Sequence, residues 1–295
     1  MKKVAVLFGG NSDEKEVSLH TGLAVIEAIE EDYEIVSINM GDDYTNLYKK
    51  LIDVDIVFIA LHGGYGEDGR LQKYLDKHSI RYTGSGYLAS SIAMDKNKTK
   101  IIAKKHNVPI IEWEMVNQNL KSISTKLEFP IIIKPNDGGS TIGIYYVENI
   151  DDFNSSLSSA FSHSNNLMIE KYIKGREISV PILGDQVLPL IEILPSGFIY
   201  DYDSKYKSNG SKYIVPAEID DNLVRLISNA ALSIYNSIGC RHYARVDFLL
   251  KGNKYFLLEI NTLPGLTSTS LLPKSAKHVG LSYRKLVKSI IKLAQ

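Results

Sequence analysis

The sequence predicts a mixed α/β and α+β chain: an N-terminal domain on an open, mostly parallel sheet, followed by a two-lobed domain. Three observations lead there. Strand-like apolar runs alternate with helix-periodic segments up to residue 86, the order that builds parallel sheets. A glycine-rich turn follows Lys134 between two apolar strands. A hairpin near the C-terminus carries carboxylates and an amide where a core strand would carry Val or Ile. At 295 residues the chain is long for one core, so two or three lobes are expected.

In chain order, Lys3 to Phe8 reads as a buried strand and Gly9-Gly10-Asn11-Ser12 as the turn after it. Glu14 to Ile29 places Val17, Leu19, Leu23, Ala24 and Ala28 at helical spacing. Tyr33 to Met40 is a second strand, Tyr44 to Ile52 a helix, and Asp55 to Leu61 a third strand running into His62-Gly63-Gly64-Tyr65-Gly66-Glu67-Asp68-Gly69. A helix over Leu71 to His78 and a short strand over Arg81 to Thr83 close the unit at Gly84-Ser85-Gly86. The expected division is 1–86, 87–175 and 176–295.

The middle lobe holds a helix ending in Met94-Asp95-Lys96, another reaching His106, and the strand Phe129 to Pro135. Asn136-Asp137-Gly138-Gly139-Ser140-Thr141-Ile142-Gly143 then leads into the strand Ile144 to Val147. With Lys134 just before it, this hairpin suits backbone N–H groups laid over phosphates. It is not a Walker motif, because no Gly-Lys-Ser/Thr opens a helix there. Leu167 to Ile173 is a further strand offering an edge for an adenine base, with Glu177 within reach of ribose hydroxyls. Asp203 to Ser211, rich in Lys, Ser and Asn, reads as a lid.

In the C-terminal hairpin, Ala244 to Leu250 and Tyr255 to Asn261 flank Lys251-Gly252-Asn253-Lys254. Alternation puts Glu259 and Asn261 on one face. A three-residue loop, Gly252 to Lys254, sets Asp247 opposite Glu259 on that face. Converging oxygen ligands suit Mg²⁺ held beside substrate phosphates. The Phe-Leu-Leu and Tyr-Phe-Leu-Leu runs point to burial on both faces; the alternative is a hairpin with polar residues on its solvent side. Pro264-Gly265 and the Thr267-Ser268-Thr269-Ser270 run extend the same pocket with short donors for an anion.

Composition narrows the partners. With 34 basic and 34 acidic residues, 44% hydrophobic and 23% charged, the chain has neither the basic excess of a nucleic-acid binder nor an electrostatic membrane anchor. Cys240 is the single cysteine, which excludes an internal disulfide and a cysteine metal site. Val4 to Phe8 is too short for a signal-peptide core and no segment reaches transmembrane length. A cytoplasmic protein, with no nucleic-acid or membrane partner, is expected.

Together these pieces resemble the D-alanine–D-alanine ligases of the ATP-grasp superfamily from end to end. The resemblance rests on Gly9 through Ser18, Leu61-His62-Gly63 with Gly66 to Gly69, Tyr82 to Gly86, Met94-Asp95-Lys96 and Lys134-Pro135. It continues in Tyr202-Asp203-Ser204-Lys205-Tyr206, Arg245-Val246-Asp247 and Glu259 through Gly265. Any one could arise by chance; the order and spacing are specific. It implies ligation of two D-alanine molecules through an acyl phosphate, with ATP as substrate and two Mg²⁺ or Mn²⁺ ions, in peptidoglycan precursor synthesis. It also implies a homodimer.

The resemblance further implies roles. Asp247 and Glu259 hold one metal ion, and Glu259 with Asn261 the second. Lys96 and Lys134 face the α- and β-phosphates, with Gly138, Gly139 and Thr141 closing over them. Glu170, Lys171, Tyr172 and Ile173 border adenine, and Glu177 the ribose. Glu16 pairs with the first D-alanine's ammonium; the alternative is an acid favoured by the helix dipole. Arg245 and the Gly265 N–H form an oxyanion hole, or Arg245 simply neutralises Asp247. Ser270 and Lys205 take the second carboxylate, while Ser140 and Tyr206, bonded to each other and to Glu16, close the pocket. His62 lines the first D-alanine site or is a buried structural histidine. Tyr206 rather than Phe goes with dipeptide rather than D-lactate products.

Three other readings compete: a depsipeptide or other carboxylate–amine ligase of this superfamily, a nucleotide-binding module without turnover, and a Rossmann dehydrogenase. The last lacks a G-x-G-x-x-G turn.

Overall fold

The computed structural model describes residues 1–41, 46–120, 122–139, 142–195 and 211–295. Lys3–Gly9 forms β1, Lys15–Ile29 α1, Glu34–Met40 β2, Leu47–Leu51 α2, Ile56–Ile59 β3 and Arg70–Lys77 α3. β1 lies between β2 and β3, parallel to both. Val4, Ala5, Val6 and Leu7 are fully buried, as a central parallel strand covered on both faces requires. Residues 81–83 form no strand; Tyr82 makes one parallel bridge to Val57, because Gly84 follows at φ 92° and turns the chain away.

Tyr87–Met94 forms α4 and Lys96–Lys105 α5. Trp113–Asn117 forms β4, Ile131–Pro135 β5, Tyr145–Val147 β6, Phe153–Phe161 α6 and Asn166–Lys171 β7. The four strands make an antiparallel sheet in the order β4-β7-β5-β6. Ile131, Ile133, Leu167 and Ile169 face α6 and pack on Phe153 and Leu157. Alternation leaves Ile132, Lys134, Glu170 and Trp113 on the opposite face. β7 is interior, paired on both sides, so it offers no free edge within the strand.

Arg176–Leu183 forms β8, Gln186–Val187 β9, Ile191–Leu194 β10, Lys212–Ile214 β11 and Asp221–Ile238 α7. Tyr243–Lys251 forms β12, Lys254–Asn261 β13, Leu271–His278 α8 and Tyr283–Leu293 α9. The sheet order is β11-β10-β8-β12-β13, with β9 on β8. Asp220 caps α7 by accepting from Asn222 N at 2.9 Å, and Gly239 ends it at φ 81°. The buried side of α7, with Ile227, Ala231 and Ile234, covers Ile178, Val180, Val246 and Phe248. α9 returns to the first sheet, its Leu286, Val287, Ile290 and Ile291 packing with Val25 and Ile29 of α1.

The β12–β13 hairpin departs from expectation in two ways. Its loop has two residues, Gly252 and Asn253, because Lys251 pairs with Lys254; Gly252 takes φ 56°, as primed hairpin turns need. A β-bulge then falls at Leu258, so Phe248 pairs with Leu257 while Asp247 pairs with Glu259. The extra residue restores the carboxylate pairing that a longer loop would have given. The hairpin is also not core on both sides: Ala244, Val246, Phe248 and Leu250 are buried against α7, while Arg245, Asp247 and Leu249 are half-buried and face a cavity.

Candidate active site

Two cavities meet between the lobes. The larger, about 480 Å³, is walled by apolar residues (Ile111, Ile132, Leu249, Leu258) and by Lys96, Lys134, Arg245, Asp247 and Glu259. That size suits a small ligand such as a nucleotide. The smaller, about 110 Å³, is lined by Glu14, His62, Glu67, Gly138, Gly139, Asn261, Gly265 and Ser270. Lys96, Arg245 and Glu259 belong to both walls.

The bulge builds much of this junction. Consecutive strand residues normally alternate, yet Leu258 and Glu259 both line the larger cavity. Arg245 grips Asp247 with Nε 3.0 Å from Oδ1 and Nη2 2.8 Å from Oδ2, and Nη2 lies 3.9 Å from Glu259 Oε1. The Ser179 hydroxyl donates to Asp247 Oδ1 at 2.7 Å. The second reading of Arg245, neutralisation of Asp247, thus describes this geometry, while the side chain still reaches both cavities.

Lys96 enters from the first turn of α5. Asp95 caps that helix by accepting from Lys98 N at 3.0 Å. Asn136 ties the same turn to the glycine-rich loop: its Oδ1 accepts from Asn97 N at 2.9 Å, and its Nδ2 donates to Asp95 Oδ1 at 2.9 Å. Lys96 Nζ donates to Gly138 O and lies 3.9 Å from Glu259 Oε2. Burial pushes the Lys96 ammonium below the usual lysine range, with Glu259 pulling the other way. Behind it, Lys100 Nζ is 2.6 Å from Glu170 Oε1, and Lys134 contacts the other carboxylate oxygen. Burial works to raise the Glu170 carboxyl, but Lys134 and Lys100 together hold it below the carboxylate range.

His62 is buried, its Nε2 2.9 Å from Thr21 Oγ1 and its Nδ1 3.4 Å from Glu67 Oε1, while its backbone oxygen accepts from Ser12 Oγ at 2.6 Å. Gly63 sits at φ 70°, and a Cβ there would come within 2.9 Å of Glu14 Oε2. A Cβ on Gly265 would likewise come within 2.9 Å of Ser270 Oγ. Thr267 N donates to that hydroxyl at 3.1 Å, fixing Ser270 at the head of α8.

Of the residues expected from sequence, Lys96, Arg245, Glu259, Asn261, Gly265, Ser270, His62, Gly138 and Gly139 gather on the smaller cavity. Lys134, Glu170, Lys171, Tyr172, Ile173, Glu177 and Asp247 gather on the larger. Ser140, Thr141, Lys205 and Tyr206, and most of the expected lid, lie outside the described residues. Glu16 is a correction: it is exposed on α1, away from both cavity walls, whereas Glu14, at the N-cap, lines the smaller one. Helix geometry explains this, since residues two apart do not share a face. Glu67, Lys100 and Ser179 were not singled out from sequence.

Among the described residues no group of three or more His, Cys, Asp or Glu is placed to hold a metal. The donors are two opposed carboxylates and one amide, hard oxygen ligands that suit Mg²⁺ when phosphates and water complete the shell. No helix of the described residues is long and apolar enough to cross a membrane.

A family model described as D-ala D-ala ligase C-terminus matches residues 102–292, and one described as D-ala D-ala ligase N-terminus matches residues 42–85. The chain is similar to a D-alanine–D-alanine ligase of Syntrophotalea carbinolica, 41% identical over 291 residues, covering 98% of this chain and 95% of that protein. It is also similar to the crystal structure of a D-alanine–D-alanine ligase from Bacillus anthracis, with TM-score 0.91, 37% identity and coverage of 100% and 97%. A crystal structure of the B. anthracis ligase complexed with ATP gives TM-score 0.88, 36% identity and coverage of 99% and 96%. Likeness along nearly the whole chain, at this identity, matches the motifs that converge on the two cavities: the chain belongs to the D-alanine–D-alanine ligase family.

Proposed function

We propose that this chain joins two D-alanine molecules with ATP, giving D-alanyl-D-alanine, ADP and phosphate for peptidoglycan precursors. The observation that carries the reading is the junction at Lys96, Arg245 and Glu259, where an apolar nucleotide-sized cavity opens onto a small polar one. Adenine fits the apolar end. Lys171 N and Tyr172 N already donate to Glu112 O and Pro130 O, each at 3.1 Å, so a base edge meets the backbone beyond them at Ile173. Glu177 faces the ribose, and Lys96 and Lys134 the phosphates, with Gly138, Gly139 and Thr141 over them.

In the first step a carboxylate oxygen of one D-alanine attacks the γ-phosphorus, the β–γ bridging P–O bond breaks, and ADP leaves. The result is an acyl phosphate. The amine of the second D-alanine, having lost its proton, then attacks the acyl carbon, and the C–O bond to phosphate breaks. Arg245 and the Gly265 N–H stabilise the oxyanion between these events; one such donor is worth about 3 kcal/mol. Asp247, Glu259 and Asn261 would hold two Mg²⁺ ions, which supply positive charge to a reaction that brings anions together. Glu14, rather than Glu16, pairs with the first ammonium beside His62. Ser270 and Lys205 receive the second carboxylate, and Ser140 and Tyr206 close the pocket.

We further propose the chain divisions 1–86, 87–175 and 176–295, with α9 of the last packed back on the first, a homodimer and a cytoplasmic location. The test is phosphate release from ATP with D-alanine, D-lactate or L-alanine. Release with D-alanine pairs supports the reading; turnover that needs a different acceptor removes it.

A further inference from the structure

The strongest feature the mechanism leaves unused is a buried lysine. Lys100 is 1% exposed and lies one helical turn after Lys96 on α5, so both side chains leave the same face of that helix. It is not in the cavity wall. Its ammonium lies 2.6 Å from Glu170 Oε1, 3.3 Å from Ile111 O and 5.5 Å from the centre of the Trp113 ring. Glu170 is also paired with Lys134, which does line the cavity.

Charge arithmetic gives this cluster its meaning. One carboxylate stands between two ammonium groups, all three nearly or fully buried. Were Lys100 absent, Glu170 and Lys134 would form a closed neutral pair, and Lys134 would offer little field to an anion. With Lys100 present, the cluster keeps one net positive charge, and its cavity-facing member is Lys134. The cost of burying a third ion is hard to justify by stability alone, since buried ion pairs contribute weakly to folding.

We propose that Lys100 is a positioning residue for the nucleotide's phosphates: by taking up the charge of Glu170, it leaves that of Lys134 to act on the polyphosphate. The inference rests on the nucleotide reading of the larger cavity and adds a residue that touches no ligand.

The experiment compares ADP and adenosine binding by calorimetry to the full chain, in the presence of magnesium. The quantity read is the ratio of ADP affinity to adenosine affinity, in which contacts to the base and sugar cancel. Lys100→Met is expected to lower this ratio about tenfold, the size of one charge-assisted contact. Lys100→Arg should restore much of it. Lys100→Met leaves Glu170 paired with Lys134, so the fold is expected to survive. Should it not, the double variant Lys100→Met with Glu170→Gln is read instead, and its ratio should stay within about threefold of the parent. A ratio unchanged in Lys100→Met, or lowered about tenfold in the double variant, overturns the proposal. A parent chain that binds adenosine as tightly as ADP would overturn the phosphate reading of this cavity, and this inference with it.

Discussion

Glu259 lies 3.9 Å from Lys96 Nζ through one carboxylate oxygen and 3.9 Å from Arg245 Nη2 through the other. One side chain therefore stands between the two cations that line both cavities.

That position makes Glu259→Gln informative. It removes the charge without removing the shape, so kcat is expected to fall by about 10²- to 10³-fold. The melting temperature should change little, because the side chain is a third exposed. A variant that melts far lower, or turns over normally, contradicts the assigned role.

Glu14, on the smaller cavity, and Glu16, exposed on α1, test the proposed ammonium site. Glu14→Gln is expected to raise KM for the first D-alanine by about ten- to a hundredfold, the loss of a charge-assisted bond. Glu16→Gln, exposed on α1, should stay within about twofold in both constants. Steady-state kinetics with the two D-alanine sites fitted separately decides between them.

The α5 cap links local structure to the proposed phosphate site at Lys96. Asp95→Ala removes the acceptor of Lys98 N and the partner of Asn136 Nδ2. It should cost about 1 kcal/mol of stability. Because the same turn carries Lys96, KM for ATP should rise more than KM for D-alanine. A purely global loss, with both constants unchanged, would argue against coupling between cap and that site.

His242 makes stability depend on pH. It sits at φ 67° and accepts from Gly84 N at 3.1 Å through Nδ1, with Arg241 beside it. Burial and then the Arg241 charge push its pKa from 6.5 down to about 4. Between these values the unfolded chain binds more protons, so this contribution is lost as pH falls through that window and changes no further below it. His242→Asn tolerates the left-handed backbone and should flatten the dependence. Urea midpoints at about pH 7 and pH 4.5 test this; equal slopes for both proteins would refute it.

Legibility followed periodicity. β1 was readable because Val4 to Leu7 is continuously apolar. α1 was readable as a helix but not by its face, since Leu23 is exposed and the buried side is Val17, Ser18, Thr21, Gly22, Val25 and Ile29. Half of these are small or hydroxyl residues that a search for apolar spacing passes over. The Arg245, Asp247, Glu259 and Asn261 face was readable because ionic residues stand out in apolar strands. The bulge was hidden, since Leu257 and Leu258 are both apolar and nothing marks which is extra. Glu14 was missed because three acids cluster at the start of α1, and only the N-cap geometry turns one inward. Lys100 was missed for a related reason: in Lys96-Asn97-Lys98-Thr99-Lys100 a third lysine reads as solvated surface. The α7 segment did carry a usable signal, with Asp220 ahead of Leu223, Ile227, Ala230 and Ile234.

The bulge also decouples two properties that a regular hairpin would bind together. Removing Leu258 would leave each observed pair, from Lys251–Lys254 through Asp247–Glu259, in the same partnership within an uninterrupted ladder. The strand would still zip up, but the larger cavity would lose an aliphatic plate from its wall. Length variation at this one residue would therefore alter ligand choice before it disturbed assembly of the sheet.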